Sequence, residues 1–90
     1  MKFYEFNDFG YYALIGANIV EEALEEYKNT IADIYEEDGE PDLITEKKAK
    51  EKYCKYAGEY GETYEELEED FNRLIKKEKT HIFLMDGSLL

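Results

Sequence analysis

Apolar and polar positions alternate, cluster and then space out along this chain in a readable order. Lys2–Phe6 is a short aromatic run, and Tyr11–Ala17 is aromatic and aliphatic; both suit β-strands. Between them Asn7-Asp8-Phe9-Gly10 has turn chemistry, so the pair reads as a β-hairpin with a four-residue connection. Gly16 either weakens the end of the second strand or marks a close approach. Val20, Ala23, Leu24, Tyr27, Ile31 and Ile34 then recur at three- and four-residue spacing. That periodicity predicts an amphipathic helix of about 17 residues. Asn18 with Glu21 fits its N-terminal capping box, and Asp38-Gly39 and Pro41 end it. Thr45 is placed to cap a second helix running to about Ala57, with Ala49, Tyr53 and Tyr56 or Ala57 as a narrower apolar stripe. Gly58 and Gly61 suit the reversal after it. Thr63-Tyr64-Glu65-Glu66 opens a third helix whose apolar face is Tyr64, Leu67, Phe71, Leu74 and Ile75. Thr80–Met85 predicts a last strand, followed by a turn at Asp86-Gly87 and a tail, Ser88–Leu90.

The order β-β-α-α-α-β predicts an α+β fold. About three antiparallel strands pack against three helices in two layers, as one domain over residues 1–90. A lone hairpin is marginal, so the last strand is expected to return and pair with it. A chain of 90 residues buries about 60–65% of its extended surface, enough for one modest core but not for a two-lobed cleft.

Charge changes the picture. Twenty-three acids oppose 11 bases, leaving −12 and an isoelectric point near 4.4. Direct binding to nucleic acid is disfavoured, because phosphate neutralisation needs Lys and Arg. An anionic membrane surface is disfavoured likewise. The longest charge-free run, Phe9–Val20, is too short to span a bilayer. Acids at Glu5 and Asp8 argue against a secretory leader, and the single Cys54 excludes an internal disulfide, so a cytoplasmic protein is expected. Ten of the eleven bases are Lys, a usage that points to an AT-rich genome and hence to a bacterial host cell or its phage.

Chemistry is sparse. His81 is the only histidine and reads as a strand-surface residue; Cys54 reads as a small core residue. Zinc requires about four Cys or His ligands at set spacing. The loop Ile34–Thr45 fails as a calcium loop, because Ile34 and Thr45 stand where carboxylates belong. Neither a cofactor nor a metal is expected, nor is enzymatic activity.

The acids are unevenly spread. Glu21–Asp42 holds ten acids and one base, Lys28; Glu59–Asp70 holds seven acids and no base; Lys47–Lys55 holds five lysines around Glu51. Glu21, Glu22, Glu65 and Glu66 suit helix first turns. Glu21–Glu25, Glu22–Glu26, Glu62–Glu66, Glu65–Glu69 and Glu66–Asp70 are like-charge neighbours four apart, and together they cost about 1–2.5 kcal/mol. Glu36, Glu37 and Asp38 crowd the expected C-terminus of the first helix, the unfavourable end for anions. Charge placed against local stability often marks function. Rows of carboxylates can imitate phosphate spacing and dock on the groove of a basic nucleic-acid-binding protein, such as a nuclease effector. The candidate contact residues are Glu65, Glu66, Glu69 and Asp70, then Glu22, Glu25 and Glu26, then Glu36, Glu37 and Asp38, with Tyr60 or Tyr64 assisting. Tyr11, Tyr12 and Tyr56 are further interface candidates among nine tyrosines. The plainer reading is that surface Glu keeps a small protein soluble and Tyr fills its core. On that reading the chain is a small host adaptor or regulatory domain, able to form a homodimer through a free sheet edge.

Tyr12-Ala13-Leu14-Ile15-Gly16-Ala17-Asn18, followed by Glu21-Glu22-Ala23, resembles small acidic proteins of low-GC Gram-positive bacteria and their phages. In class, size and acidity the chain is also similar to phage-encoded anti-defence proteins, including anti-CRISPR proteins. That resemblance implies inhibition of a nucleic-acid-processing effector and transfers no individual residue.

Overall fold

Side chains alternate across the first strand, and that alternation decides the architecture. In a computed structural model describing residues 1–57 and 63–85, β1 (Lys2–Phe6) turns Phe3 and Glu5 to one side and Tyr4 and Phe6 to the other. All four are buried, as is every residue of β2 (Ala13–Ala17). Strands buried on both faces require cover on both faces. Helix α1 (Val20–Thr30) covers one side, where Ala23 and Tyr27 join Tyr4, Phe6, Phe9, Ala13, Ile15 and Ala17. Helices α2 (Glu46–Ala57) and α3 (Tyr64–Lys76) cover the other, where Ala49 and Phe71 join Phe3, Leu14 and Phe83. The α+β class therefore holds, but the layers number three, not two. The reason is that β1 and β2 carry large apolar groups at both parities, Phe3 beside Tyr4 and Leu14 beside Ile15.

The sheet has four strands rather than about three, in the order β3-β1-β2-β4, all antiparallel. The expected return strand is β4 (His81–Met85). The unexpected one is β3 (Asp42–Ile44), three residues directly after Pro41, too short and too polar for its period to be read. Its register sets Leu43 against Tyr4 and Asp42 against Glu5. An irregularity opposite Leu14/Ile15 leaves Phe83 as an extra residue in β4, so Phe83 and Leu84 both lean into the α2–α3 side. Phe83 lies over Gly16: a Cβ there would meet the Phe83 ring and Met1 Sδ at 2.7 Å. The close approach expected at Gly16 is thus made by an aromatic side chain.

Helix ends differ from expectation in two places. α1 has 11 residues, because the Asn29-Thr30-Ile31 sequence propagates a helix poorly. Ile31, Ala32 and Ile34 still pack on the core, but as irregular chain. Asn18 does not cap α1. Ile19 holds that position without a side-chain bond, and Asn18 Nδ2 instead donates to the Glu78 carbonyl at 3.4 Å, tying the α3–β4 connection to the end of β2. Thr45 and Thr63 behave as expected, each accepting from a backbone N–H, of Lys48 and Glu66 respectively, at 3.2 Å. The turns proposed at Gly58, Gly61 and Asp86-Gly87, and the tail, lie outside the described residues.

Candidate partner-binding surface

On α1 the helical period buries Ala23 and Tyr27 and leaves Glu21, Glu22 and Glu25 exposed; Glu26 is half-buried and accepts from Thr30 Oγ1 at 3.1 Å. Beyond α1 the chain enters a short 3-10 turn, Glu36–Asp38, capped by Tyr35. Tyr35 N–H donates to Asp38 Oδ2 at 2.8 Å, and Asp38 N–H donates to the Tyr35 carbonyl at 3.0 Å. These three acids thus occupy the first turn of their own element, where anions are favoured. The expectation that they crowd a helix C-terminus is overturned by the early end of α1. Glu36 and Glu37 are exposed, and Asp38 is half-buried.

On α3 Glu65, Glu66 and Glu69 are exposed and Asp70 is half-buried. Here the field is mixed. Asp70 pairs with Arg73, and Glu68 reaches Lys50 of α2 at 3.9 Å. Glu69 shares a shallow depression with Asn72, Arg73, Lys76 and Lys77. By contrast, no ion pair among the described residues uses an acid of 21–42. The acids of α1 and of α3 lie on helices that cover opposite faces of the sheet.

The tyrosines divide as well. Tyr27 is core: its hydroxyl donates to the Tyr11 carbonyl at 2.7 Å and accepts from Tyr11 N–H at 3.2 Å, pinning the β1–β2 loop to α1. Its ring stacks on Phe6 at 4.7 Å. Tyr12 is half-buried and donates to Glu5 Oε2 at 2.8 Å. Tyr64, expected on the apolar face of α3, is 56% exposed. Tyr60 lies outside the described residues.

One polar centre escaped the sequence reading. Glu5, 4% exposed, accepts from Asn7 Nδ2 at 2.7 Å, from the Tyr12 hydroxyl and from Lys52 Nζ. Burial alone would raise its carboxyl, but the bonds from Lys52, Tyr12 and Asn7 outweigh burial and hold it below the usual value. The available signal was an acid at an inward position of an otherwise aromatic strand. This centre ties β1, the β1–β2 loop and α2 together, with every partner satisfied.

The remaining chemical candidates are unremarkable. Cys54 is buried, and burial, aided by Glu68, pushes its thiol up, away from the reactive thiolate. His81 stands on β4 with its ring edge-on to Phe83 at 5.0 Å; partial shielding of the ring from water, and then Lys77, push its imidazole down. Among the described residues no cluster of three or more His, Cys, Asp or Glu could hold a metal ion. No helix among them is long and apolar enough to cross a membrane.

Fold and surface together define an acidic α+β domain: a four-stranded antiparallel sheet between helix layers, with one strongly anionic side. The chain belongs to the YosH C-terminal domain family, which it matches over residues 1–84. That membership is consistent with the resemblance to small proteins of Gram-positive bacteria. No curated protein and no solved structure matches the chain.

Proposed function

We propose that this protein is a non-enzymatic acidic inhibitor that docks on a basic nucleic-acid-binding protein, by imitation of nucleic acid, in an anti-defence role of the anti-CRISPR type. The observation that carries the reading is the segment 21–42. Its ten acids accompany a single base and none joins an ion pair among the described residues, whereas the acids of α3 are interleaved with Arg73, Lys76 and Lys77. An unneutralised field steers a cationic partner and speeds association, and salt weakens it. The contact set therefore centres on Glu22, Glu25, Glu26, Glu36, Glu37 and Asp38; Glu65, Glu66, Glu69 and Asp70 form a second, weaker surface.

Capture from a nuclease-treated lysate of a Gram-positive host, eluted with a salt step between about 0.1 and 0.5 M, tests this. A basic nucleic-acid enzyme in the eluate, lost when Glu22, Glu25, Glu36 and Glu37 are changed to Lys but retained when Glu65, Glu66 and Glu69 are changed, supports it. A partner that survives both charge reversals and the salt step defeats it and favours the adaptor reading.

A further inference from the structure

We infer that the outer edge of β3 holds an extended, Lys- or Arg-bearing segment of a protein partner, added as a fifth strand. The inference rests on the proposed docking role and specifies how the partner is gripped.

β3 ends the sheet on its side, and no turn or loop backbone hydrogen bond among the described residues reaches Asp42–Ile44. Open edges are usually guarded by lysine or covered. This one carries no lysine. Leu43 is 63% exposed although Tyr4, opposite it in register, is buried, so the α1 side of the sheet is left apolar and uncovered at this margin. Tyr35, 61% exposed, stands at the head of the turn that leads to the strand. The approach to the edge bears Asp33, Glu36, Glu37, Asp38, Glu40 and Asp42 and no base.

These features select the occupant. Strand addition supplies backbone hydrogen bonds, while alternate side chains supply specificity. Residues of the incoming strand aligned with Leu43 gain by being apolar. Those alternating with them fall on the side of Asp42 and gain by being basic. A second copy of this chain carries −12 itself and is repelled, whereas a cationic strand is attracted.

The test uses the whole chain and two labelled heptapeptides of equal charge, one alternating Lys with Val and the other Lys with Ser, measured by fluorescence anisotropy at low salt. The expected result is binding of the Lys–Val peptide about tenfold tighter than the Lys–Ser peptide. Leu43→Ser should erase that preference without weakening the Lys–Ser peptide, and methylating alternate backbone nitrogens of the Lys–Val peptide should abolish its binding. Leu43 is largely exposed, so the variant should keep its fold, which far-UV circular dichroism verifies. Equal affinity for the two peptides, a preference that survives Leu43→Ser, or self-association through this edge would overturn the inference. Equal affinities alone would leave the acidic surface standing. Loss of that surface is read separately, from the four-residue charge reversal on the captured partner.

Discussion

Replacing Lys52 with Met isolates the energetics of the buried Glu5 carboxylate. Among the described residues, Lys52 supplies one of three side-chain donors to Glu5 and the charged one. A hydrogen bond to a charged group contributes about 1.5–3 kcal/mol. Lys52 is itself 37% exposed, so solvent screening lowers the expected loss to about 1–2 kcal/mol. Met keeps most of the aliphatic stem, which limits the packing change. The pH dependence sharpens the test. In the native protein the Glu5 carboxyl lies below its ordinary 4.5, so its contribution is complete above that value and is lost as pH falls through the folded-state value. Without Lys52 the largest influence, burial, meets less opposition, and the carboxyl moves upward. Acidification then relieves a strained charge in the variant while it costs the native protein stability. The stability gap between the two should be widest near neutral pH and should narrow as the pH falls below 4.5. Urea unfolding followed by far-UV circular dichroism, at several pH values, measures the gap. A neutral-pH gap under about 0.5 kcal/mol, or one that does not narrow on acidification, would refute the reasoning.

Tyr27→Phe removes the hydroxyl that serves both backbone groups of Tyr11, and thermal unfolding should show a loss of about 1–3 kcal/mol, with faster amide exchange in the β1–β2 loop. Glu25→Lys converts a repulsive pair with Glu21 into an attractive one and should raise stability by about 0.4–1 kcal/mol in denaturant titration; no gain would mean that the α1 acids do not repel as supposed. Glu78, the only described non-glycine residue with positive φ, at 53°, follows the C-cap of α3. Glu78→Gly should stabilise by about 1 kcal/mol, read as a higher melting temperature, because the left-handed conformation then costs nothing.

Much of the local structure was legible in short-range pattern. Thr45 and Thr63 cap their helices because a hydroxyl three residues ahead of a free N–H needs no distant partner. The inward face of α3, Leu67 and Phe71 flanked by Leu74 and Ile75, follows from its period. Asn18 misled because it satisfies the same local rule as those threonines, yet found a better-placed carbonyl 60 residues away at Glu78. Ile31 and Ile34 misled because apolar spacing continues where the helix does not; they reach the same core as irregular chain. The Glu5 centre was hinted at only by an acid at an inward strand position, because its charged partner, Lys52, comes from α2, 47 residues away.

The sequence by itself determined the class of fold, the capped helices α2 and α3, the hairpin, the return strand and the concentration of acid at 21–42. Each of these depends on composition or on neighbours within a turn or two. Tertiary structure alone decided that α1 covers one face of the sheet and α2 and α3 the other, that a three-residue edge strand forms at Asp42–Ile44, and that the α1 acids and the α3 acids therefore lie on helices of opposite faces. It also decided that Lys52 reaches the buried Glu5, while no acid of 21–42 joins an ion pair among the described residues. Which side of a sheet a helix covers, and which cation reaches which carboxylate, are set by long-range packing, and no local period of the chain encodes them.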